Sequence, residues 1–325
     1  IYEVSSRLKC EVLTQKGSIC EKKIELPVIG KSPLLINLSF FVACLIYSFK
    51  LLLIKKHKII HIHENLLYPL AIILKLRYKV VITVHGISGF KFYDSKLLWP
   101  VFKQGLKIAN LVISVSVNDR LLLSNEVKRL VYIPNGADIS LYNKLNPTIQ
   151  NKITFLGRIH EQKGVSYLLE AFKLLSKEDK DIELHIIGKI NNLSLKLKKE
   201  FPDKRIKFMG FILDRKAIFR ELASSYILVY PSLWEALPWP ALLEGLASGR
   251  PLIASDLPGM RQVFKDGENI VLCKTQDSKD LAEKFRSLIK NKNLANKIGR
   301  NGKLLAKSYD WGIISKKIER EYEKI

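Results

Sequence analysis

Short apolar runs alternate along the chain with longer segments in which apolar residues recur at helical spacing. This alternation is typical of parallel α/β architecture, because each helix carries the chain back to begin the next parallel strand. Strands are expected at residues 11–14, 59–63, 80–84, 111–115, 130–133, 153–156, 182–187, 206–209, 226–230, 252–254 and 270–272. In the first half, helices are expected at residues 34–54, 66–76, 96–108 and 117–124.

A segment rich in Asn, Pro and Gly, IPNGADISLYNKLNPTIQNK at residues 133–152, separates two series of these elements. Such a composition marks a boundary between domains. We therefore expect two domains, residues 1–145 and 146–325. The tail from residue 277 has a helical pattern, and its C-terminal helix is expected to pack back on the first domain.

The charge of the chain is strongly basic: 54 Lys and Arg stand against 31 Asp and Glu, a formal net charge of +23. This suggests a polyanionic partner, which can be nucleic acid, an anionic membrane surface or a phosphorylated substrate. No recognisable RNA or DNA module and no interleaving of aromatic and basic residues accompanies the charge. Specific nucleic-acid binding is therefore disfavoured.

The region between Pro27 and Tyr93 is both basic and very apolar, with Glu64 as its one acidic residue. Residues 33–54 are about long enough to cross a membrane, but they include Asn37 and Lys50 and are followed directly by further lysines. We interpret this segment as an amphipathic or buried helix. Apolar residues beside a lysine cluster also suit peripheral docking on an anionic lipid surface.

The cysteines Cys10, Cys20, Cys44 and Cys273 have no metal-ligand spacing and no CxxC pair, so we interpret them as reduced, packed thiols. No signal peptide is recognisable, and a cytoplasmic location is expected. The run Asp179–Asp181 has the form DxD, a metal signature in other transferases. It lies in the charged run KEDKD before a strand, and we expect no metal site there.

A candidate phosphate site follows the strand at residues 153–156. Gly157, Arg158 and Lys163 lie in the turn between that strand and a helix that is expected to start near Gly164. A guanidinium can bind two phosphate oxygens, an ammonium adds a charge, and free helix amides complete the site. The alternative is an ordinary surface loop between a strand and a helix. Neither a Walker loop nor a GxGxxG fingerprint is present.

Two carboxylates, Glu235 and Glu244, lie in the stretch YPSLWEALPWPALLEGLASGRPLIASDLP at residues 230–258. If Pro240 occupies the first helical turn, Glu244 lies one turn into the helix. A carboxylate there can accept hydrogen bonds from both hydroxyls of a vicinal diol such as a ribose. The alternative is a solvated helix face, which the apolar neighbours of Glu244 disfavour.

Five segments, in chain order, resemble glycosyltransferase family 4: IPNGAD, LGRIHEQKG, LHIIGK, IKFMGFI and YPSLWEALPWPALLEGLASGRPLIASDLPGM. The resemblance covers about residues 58–310. It implies an α/β protein of the GT-B fold, with two Rossmann-like, doubly wound domains facing a central cleft. It also implies a retaining transferase that uses a nucleotide sugar.

The resemblance implies roles for residues of the second domain. Gly157, Arg158 and Lys163 match the family's GR(x)4KG pattern, which binds the donor diphosphate. Glu244 would hold the ribose hydroxyls, and Glu235 would contact hydroxyls of the transferred sugar as a catalytic residue.

The backbone after Glu235 would also lie near the sugar and the phosphates, at Leu237, Pro238, Trp239 and Ala241.

In the first domain, His85 in VITVHG matches a histidine that faces the reacting sugar, although a histidine after a strand can equally be a capped loop residue. Asn135 and Gly136 match a PNG turn that borders the cleft. His61 and His63 alternate along one strand and are interpreted as structural hydrogen-bonding residues.

Two departures from the family pattern affect these expectations. Glu235 and Glu244 enclose eight residues where the family has seven, which makes the role of Glu235 less secure than that of Glu244. Family members also begin with a strand, a Gly-rich turn and a helix, whereas this sequence opens with IYEVSSRLK. We interpret the chain as lacking its first strand, which leaves a gap in the first sheet. Such a chain is expected to be poorly stable or inactive, and robust turnover by a purified chain starting at Ile1 would contradict this.

The function expected from the sequence is transfer of a sugar, with retention, from a UDP- or GDP-sugar to a glycan or lipid-linked acceptor in cell-surface polysaccharide or glycolipid synthesis. The nucleotide sugar is a co-substrate, and no cofactor or metal is expected. The protein would be cytoplasmic, with peripheral contact to the inner face of the membrane. The alternatives are a nucleotide-sugar epimerase or a phosphorylase on the same fold, and a basic nucleic-acid-binding protein.

Overall fold

The computed structural model describes residues 11–15, 23–27, 29, 32–54, 57–87, 95–96, 98–144 and 147–325. Two compact units are present: Ile1–Pro134 with Trp311–Ile325, and Asn135–Asp310. Two features expected from the sequence lie outside the described residues, namely the opening IYEVSSRLK and the thiols of Cys10 and Cys20.

The first unit contains two parallel sheets. Its strands are β1 Val12–Gln15, β2 Lys23–Leu26, β3 Ile59–Ile62, β4 Lys79–Val84, β5 Leu111–Ser114 and β6 Leu130–Tyr132. Strands β3 to β6 form one sheet in the order β3-β4-β5-β6. In the described part of the chain, β1 and β2 hydrogen-bond to each other and to no strand of that sheet.

The helices before the C-terminal tail of this unit are α1 Pro33–Leu53, α2 Ala71–Leu74, α3 Trp99–Ile108 and α4 Val117–Leu123. Helix α1 begins where the Ser32 side chain accepts a hydrogen bond from the Leu35 amide at 3.3 Å, and Pro33 occupies its first turn. The prediction of a single helix at residues 66–76 was wrong. A 3-10 helix, Asn65–Leu70, precedes the short α2 instead. Pro69 lies inside the 3-10 segment, where it lacks the amide that an α-helix would need.

The core of the first unit lies on both faces of the four-stranded sheet. Val80 and Ile82 of β4 pack with residues of α1 such as Cys44, whereas Val81, the residue between them, packs with Ile314 of the C-terminal helix Trp311–Glu323. Strand residues buried on both faces explain the uninterrupted apolar run in β4. The C-terminal helix is also held by polar contacts.

One of these contacts joins the hydroxyl of Tyr322 to Nδ1 of His61. The other is an ion pair of 3.0 Å between Arg129 and Glu321. The C-terminal helix therefore belongs to the first unit.

The boundary between the units lies earlier than the sequence suggested, at Pro134 rather than residue 145. The amide of Ala137 donates to the carbonyl of Tyr309 at 2.9 Å, so the chain is already bound to the second unit there. Tyr142 is buried against Phe219, with 4.7 Å between the ring centroids. These contacts explain why residues 135–145 belong to the second unit despite their linker-like composition.

The second unit is a six-stranded parallel sheet with helices on both faces. Its strands are β7 Lys152–Leu156, β8 Glu183–Ile187, β9 Ile206–Gly210, β10 Ile227–Tyr230, β11 Leu252–Ser255 and β12 Val271–Cys273. Its helices are α5 Val165–Leu175, α6 Asn192–Glu200, α7 Arg215–Ala223, α8 Pro240–Ala247, α9 Met260–Val263, α10 Ser278–Lys290 and α11 Lys292–Ala306. Val229 packs in the core on one face and its neighbour Leu228 in the core on the other.

The strand order in this sheet is β12-β11-β10-β7-β8-β9. The chain runs outward from β7 to β9, returns to pair β10 with β7, and then runs outward in the other direction. The order therefore reverses between β7 and β10. In doubly wound sheets, ligands bind outside the carboxyl ends of the strands at this reversal. A ligand site is accordingly expected at the loops after β7 and β10.

Candidate functional site

The loop after β7 and the loop after β10 touch each other closely through Gly164. This glycine has φ +63°, and a Cβ added there would lie 2.0 Å from the carbonyl oxygen of Pro231. Only glycine fits such a contact without moving the backbone. The helix α5 starts at the next residue, so the sequence prediction of a helix start near Gly164 is confirmed. The GR(x)4KG turn is thus fixed against the stretch that contains Glu235.

Lys163 and Glu235 form an ion pair across these two loops. Their side chains are 12% and 8% exposed, and the Ser232 hydroxyl donates to the same carboxylate oxygen at 3.0 Å. The Lys163 ammonium also lies 5.8 Å from the centroid of the Trp239 ring. The extra residue between the two glutamates therefore does not remove Glu235 from Lys163.

Gln162 links the same two loops and was not identified from the sequence. Its carbonyl accepts from the Leu233 amide at 2.7 Å, and its side-chain amide donates to the carbonyl of Trp234 at 2.9 Å. The exposed Arg158 donates a weak bond of 3.4 Å to the Gln162 side chain. Arg158 is therefore near the Lys163–Glu235 pair but only loosely held. A glutamine in a polar turn has no spacing that would have marked it in advance.

The segment Leu237–Trp239 forms the floor of the second loop. Leu237 and Trp239 are 0% and 6% exposed, Pro238 is also buried, and the Leu237–Pro238 peptide is cis. The amides of Leu237, Trp239 and Ala241 make no hydrogen bond within the part of the chain that the structure describes. Helix α8 begins at Pro240, so these free donors surround its N-terminus. Such a group of amides attracts anions.

Glu244 lies one turn into α8, as expected, but its surroundings are more polar than the sequence suggested. Its Oε1 accepts from Nη2 of Arg215 at 2.9 Å, and the same nitrogen lies 2.9 Å from Oδ2 of Asp138. Burial is the main cause that raises the pKa of Glu244, and the nearby Asp138 raises it further. Arg215 opposes both effects but does not cancel them. Arg215 and Asp138 were not identified from the sequence, because they lie far along the chain from Glu244 and belong to no local pattern.

Two tyrosine hydroxyls lie in the electrostatic surroundings of Glu244. Tyr142 and Tyr230 are 1% and 2% exposed, and neither hydroxyl has a hydrogen-bond partner among the described residues. Burial, with Glu244 as a further cause, raises the pKa of both phenols. Buried polar atoms without partners are uncommon in folded proteins and mark places where a ligand or solvent completes the bonding.

His85 lies in the first unit, directly after β4. Its Nε2 is 3.1 Å from Nδ1 of His63, whose ring stacks on that of His61 at 4.1 Å between centroids. Nε2 of His61 is 2.7 Å from the Thr83 hydroxyl, and burial lowers the pKa of His61 to about 3. The prediction that His61 is a structural hydrogen-bonding residue is confirmed. His63 differs in that it contacts the candidate residue His85 directly.

The structure thus brings Gly157, Arg158, Lys163, Glu235, Leu237, Pro238 and Trp239 together in the second unit. Asn135 and Gly136 open this unit, three and two residues before Asp138, and Gly136 is buried.

Other motifs from the sequence have structural partners. Oδ1 of Asp179, in the DxD run, accepts from the amides of Asp181 and Ile182 at 3.1 and 3.2 Å, as a turn-forming carboxylate does. Cys44 and Cys273 are each 1% exposed, and burial raises the pKa of both thiols to about 12. Both cysteines are packed, unreactive side chains.

Comparison with known proteins identifies both halves of the chain. Residues 142–305, half of the chain, match the family model of the glycosyl transferases group 1. Residues 9–141 match the model of glycosyltransferase family 4. The chain is 30% identical over 202 residues to phosphatidyl-myo-inositol mannosyltransferase of Mycobacterium leprae, an alignment that covers 60% of this chain and 54% of that protein. The chain therefore spans about half the length of this relative.

An uncharacterised glycosyltransferase of Methanocaldococcus jannaschii is 29% identical over 275 residues, which are 81% of this chain and 75% of that protein. Among solved structures, sucrose-phosphate synthase of Thermosynechococcus elongatus superposes with a TM-score of 0.80 at 19% identity, covering 99% of this chain and 91% of that one. Anabaena HepE in complex with UDP superposes with a TM-score of 0.76 at 19% identity, covering 93% and 87%. These likenesses establish the GT-B fold. The chain therefore belongs to the group 1 glycosyl transferases, the glycosyltransferase family 4 that its motifs resemble.

Proposed function

We propose that the protein is a retaining glycosyltransferase that takes a sugar from a nucleoside diphosphate sugar. The observation that carries the proposal is the Lys163–Glu235 contact. It joins a cationic turn suited to a diphosphate with a carboxylate suited to sugar hydroxyls, at the point where the strand order of the sheet reverses. The donor would thus be bound at both of its ends by neighbouring loops.

In the reaction, the bond between the anomeric carbon and the diphosphate oxygen breaks, and the acceptor hydroxyl oxygen bonds to the same face of that carbon. The acceptor proton leaves with the diphosphate. Lys163, Arg158 and the free amides at the start of α8 would stabilise the charge that develops on the leaving diphosphate. Glu235 would hold hydroxyls of the sugar as it takes on cationic character. The role of His85 as a histidine that faces the reacting sugar remains a prediction.

The relatives support this choice of substrates. HepE was solved with UDP and with UDP-glucose, which are a nucleoside diphosphate and a nucleotide sugar. The mycobacterial relative is named for mannosyl transfer to phosphatidyl-myo-inositol, a lipid. A nucleotide sugar donor and a lipid-linked or glycan acceptor are the corresponding proposals for this chain, on the cytoplasmic side of a membrane.

The test is a panel of UDP, GDP, ADP and their sugar conjugates, scored by the thermal stability of the full chain. A ligand that binds only the folded protein at a hundred times its Kd adds about 2.7 kcal/mol to the free energy of unfolding. We expect one nucleoside diphosphate and its sugar conjugate to raise Tm while inorganic phosphate does not. A panel in which no nucleotide raises Tm would refute the proposal.

Incubation with the donor alone separates transfer from its alternatives. An epimerase would convert the donor sugar without an acceptor, and a phosphorylase would need inorganic phosphate. A transferase should leave the sugar configuration of the donor unchanged under both conditions. Detection of an epimerised nucleotide sugar or of a sugar phosphate would therefore count against transfer.

We further propose that the first unit docks on an anionic lipid bilayer through α1. This helix is long and apolar enough to cross a membrane by length and composition, and 22% of its most apolar window is buried. The exposed apolar side chains of α1, here called the apolar stripe, recur at helical spacing and are 45–86% exposed: Leu34, Leu35, Leu38, Val42, Ile46, Phe49 and Leu53. Such a stripe suits shallow insertion in a membrane interface.

A basic cavity of about 760 Å³ adjoins the end of α1. Lys58, Lys75, Arg77 and Lys79 line it, and no Asp or Glu is among its described lining residues. Nη1 of Arg77 donates to the carbonyl of Leu52 at 2.8 Å, which connects the cavity to α1. Burial and neighbouring lysines lower the pKa of Lys75, as expected for crowded cations. Phosphate headgroups would relieve this repulsion.

Cosedimentation with vesicles tests the docking. We expect binding to phosphatidylglycerol vesicles at low salt, loss of binding at high salt, and no binding to phosphatidylcholine. The Ile46→Asp variant should abolish binding, whereas Leu304→Asp, at an apolar site of similar exposure on α11 (58% against 66%), should not. Replacement of Lys58, Lys75 and Lys79 by Gln should weaken binding strongly.

Replacement of Lys196, Lys198 and Lys199 on α6 by Gln removes the same charge from the second unit and is the matched control. Equal loss of binding in both triple variants would mean that net charge alone, rather than this surface, attracts the lipid.

A further inference from the structure

The contact between Arg215 and Glu244 is built into the second unit rather than placed on its surface by chance. The arginine side chain is 54% exposed, but the two carboxylates that it bridges, Glu244 and Asp138, are only 15% and 14% exposed. Its guanidinium lies 5.3 Å from the ring centroid of Phe219, a fully buried residue. The ring and the two carboxylates together define one position for the charged group.

Helix stability does not explain this arginine. Arg215 is the first residue of α7, directly after Asp214, whose side chain accepts from the Lys216 amide at 2.9 Å. A cation at a helix N-terminus is disfavoured by the helix dipole. The arginine is therefore held there by its carboxylate partners.

The two carboxylate oxygens of Glu244 have different surroundings. Oε1 is bound by Arg215 at 2.9 Å, whereas Oε2 makes no hydrogen bond within the described residues. A carboxylate has room for several donors on its two oxygens. The free oxygen can therefore accept from a ligand while the arginine keeps the carboxylate in place.

We propose that Arg215 is a positioning residue of the donor site, which holds Glu244 through one oxygen and leaves the other to the vicinal diol of a nucleoside diphosphate. This inference rests on the proposed function, in which Glu244 binds the ribose. It assigns to Arg215 no contact with the reacting atoms.

The charges around Glu244 give this role a pH dependence. The groups that face the carboxylate are Arg215, Asp138 and the hydroxyls of Tyr142 and Tyr230, and Arg215 is the one cation among them. Burial and Asp138 raise the pKa of Glu244, and Arg215 opposes them. Without the arginine, the carboxyl keeps its proton to higher pH. A protonated carboxyl is a weaker acceptor for two hydroxyls, so diol binding should weaken on the acid side first.

The experiment is calorimetric titration of the full chain with the nucleoside diphosphate that the panel identifies, UDP, GDP or ADP, and with its 2′-deoxy counterpart, between pH 5.5 and 8.5. The protein itself should prefer the ribonucleotide by about tenfold, because the deoxy form leaves a carboxylate oxygen unpaired. Arg215→Ala should bind the ribonucleotide about tenfold more weakly at pH 7 and lose most of this preference. Its affinity should fall at a higher pH than that of the unchanged protein.

Two further variants keep the result interpretable. Arg215→Lys retains the charge and should restore part of the preference. Arg220→Ala removes another arginine of α7, 60% exposed and paired with Asp214, and should change neither the preference nor the pH profile. A thermal unfolding curve for each variant identifies any loss of the fold.

The outcomes separate this inference from the function on which it rests. If the unchanged protein binds neither nucleotide, or binds both equally, the ribose role of Glu244 is wrong. If it prefers the ribonucleotide and folded Arg215→Ala keeps the same preference and pH profile, only the role of Arg215 is wrong. If Arg215→Ala does not fold, the Lys variant decides, since a purely structural arginine would leave the preference unaltered in any folded variant.

Discussion

Two partly buried carboxylates of the second unit, Glu221 and Glu244, have opposite electrostatic surroundings. Oε1 of Glu221 is bound by Lys152 at 2.8 Å and by His185 at 2.5 Å. The hydrogen bonds from His185 and Lys152 outweigh burial and lower the pKa of Glu221 to about 2. For Glu244, burial outweighs its arginine and raises the pKa. The same unit therefore contains one carboxylate that the fold satisfies and one that it leaves incompletely satisfied.

The difference is the one expected between a carboxylate that serves the fold and a carboxylate that binds a ligand. Lys152 is 2% exposed, and Glu221 is the partner that allows its charge to be buried. Glu244 has a free oxygen and lies near two unpartnered tyrosine hydroxyls. An incompletely satisfied charged group lowers stability, and sites that bind ligands commonly carry this cost. The comparison predicts that neutralising the two glutamates changes stability in different directions.

The largest effect is expected for Glu221→Gln. The substitution leaves Lys152 buried without its counter-charge, which should lower the free energy of unfolding by about 4 kcal/mol. Denaturant titration of the unchanged protein and of the Glu221→Gln variant measures this loss in the free energy of unfolding. Glu200→Gln is the matched control, because Glu200 is 48% exposed and 3.7 Å from Lys196, and its loss should cost less than about 0.5 kcal/mol. Equal stability of the Glu221→Gln and Glu200→Gln variants would remove the distinction.

The loss of stability at acid pH should also depend on Glu221. The pKa of Glu221 in the folded protein is about 2, and that of an unfolded glutamate is about 4. Its contribution is therefore complete above about pH 5 and is lost progressively as the pH falls through 4 to below 2, on the order of 3 kcal/mol in all. Stability measured from pH 5 to pH 2 should fall less steeply in Glu221→Gln. Parallel curves for the two proteins would assign acid unfolding to other groups.

The sequence predicted the strands of the four-stranded and six-stranded sheets well, because buried parallel strands are continuous apolar runs such as ILVY in β10. It did not predict β2, in which two of four residues are charged. The candidate site residues in the loops after β7 and β10 could be predicted from the sequence, because a strand, a turn and a helix place them within one short motif. Arg215 and Lys152 were missed, because their partners are 29 and 69 residues away and depend on tertiary packing.

A third effect, on ligand binding, should come from Lys163→Ala. Loss of a charged contact to the diphosphate should lower affinity for the nucleoside diphosphate by about 2 kcal/mol, roughly thirtyfold. Calorimetric titration measures it, with Lys173→Ala, an exposed lysine on α5, as the control. A nucleoside diphosphate affinity unchanged by Lys163→Ala would contradict the diphosphate role.

The ion pair with Glu235 complicates that variant, because removal of Lys163 leaves a carboxylate that is 8% exposed without its partner. The double variant Lys163→Ala/Glu235→Gln removes both charges and should recover stability while the affinity stays low. If the double variant recovers both, the lysine acts only by neutralising Glu235. This result would reduce the site to its free amides and Arg158.

The smallest change in stability is expected for Glu244→Gln. The direction of the change in the free energy of unfolding distinguishes a binding glutamate from a structural one. Because burial raises the pKa of Glu244, the ionised form costs free energy in the folded protein at neutral pH, and an uncharged amide removes that cost. The free energy of unfolding should stay the same or rise by up to about 1 kcal/mol, although Arg215 retains only Asp138 as its partner.

Ribonucleotide affinity of the Glu244→Gln variant should nevertheless fall about tenfold, since an amide offers one acceptor oxygen in place of two. Denaturant and calorimetric titrations of this variant, read together, decide between a binding and a structural glutamate. A loss of stability as large as that of Glu221→Gln, with unchanged affinity, would mean that both carboxylates serve the fold.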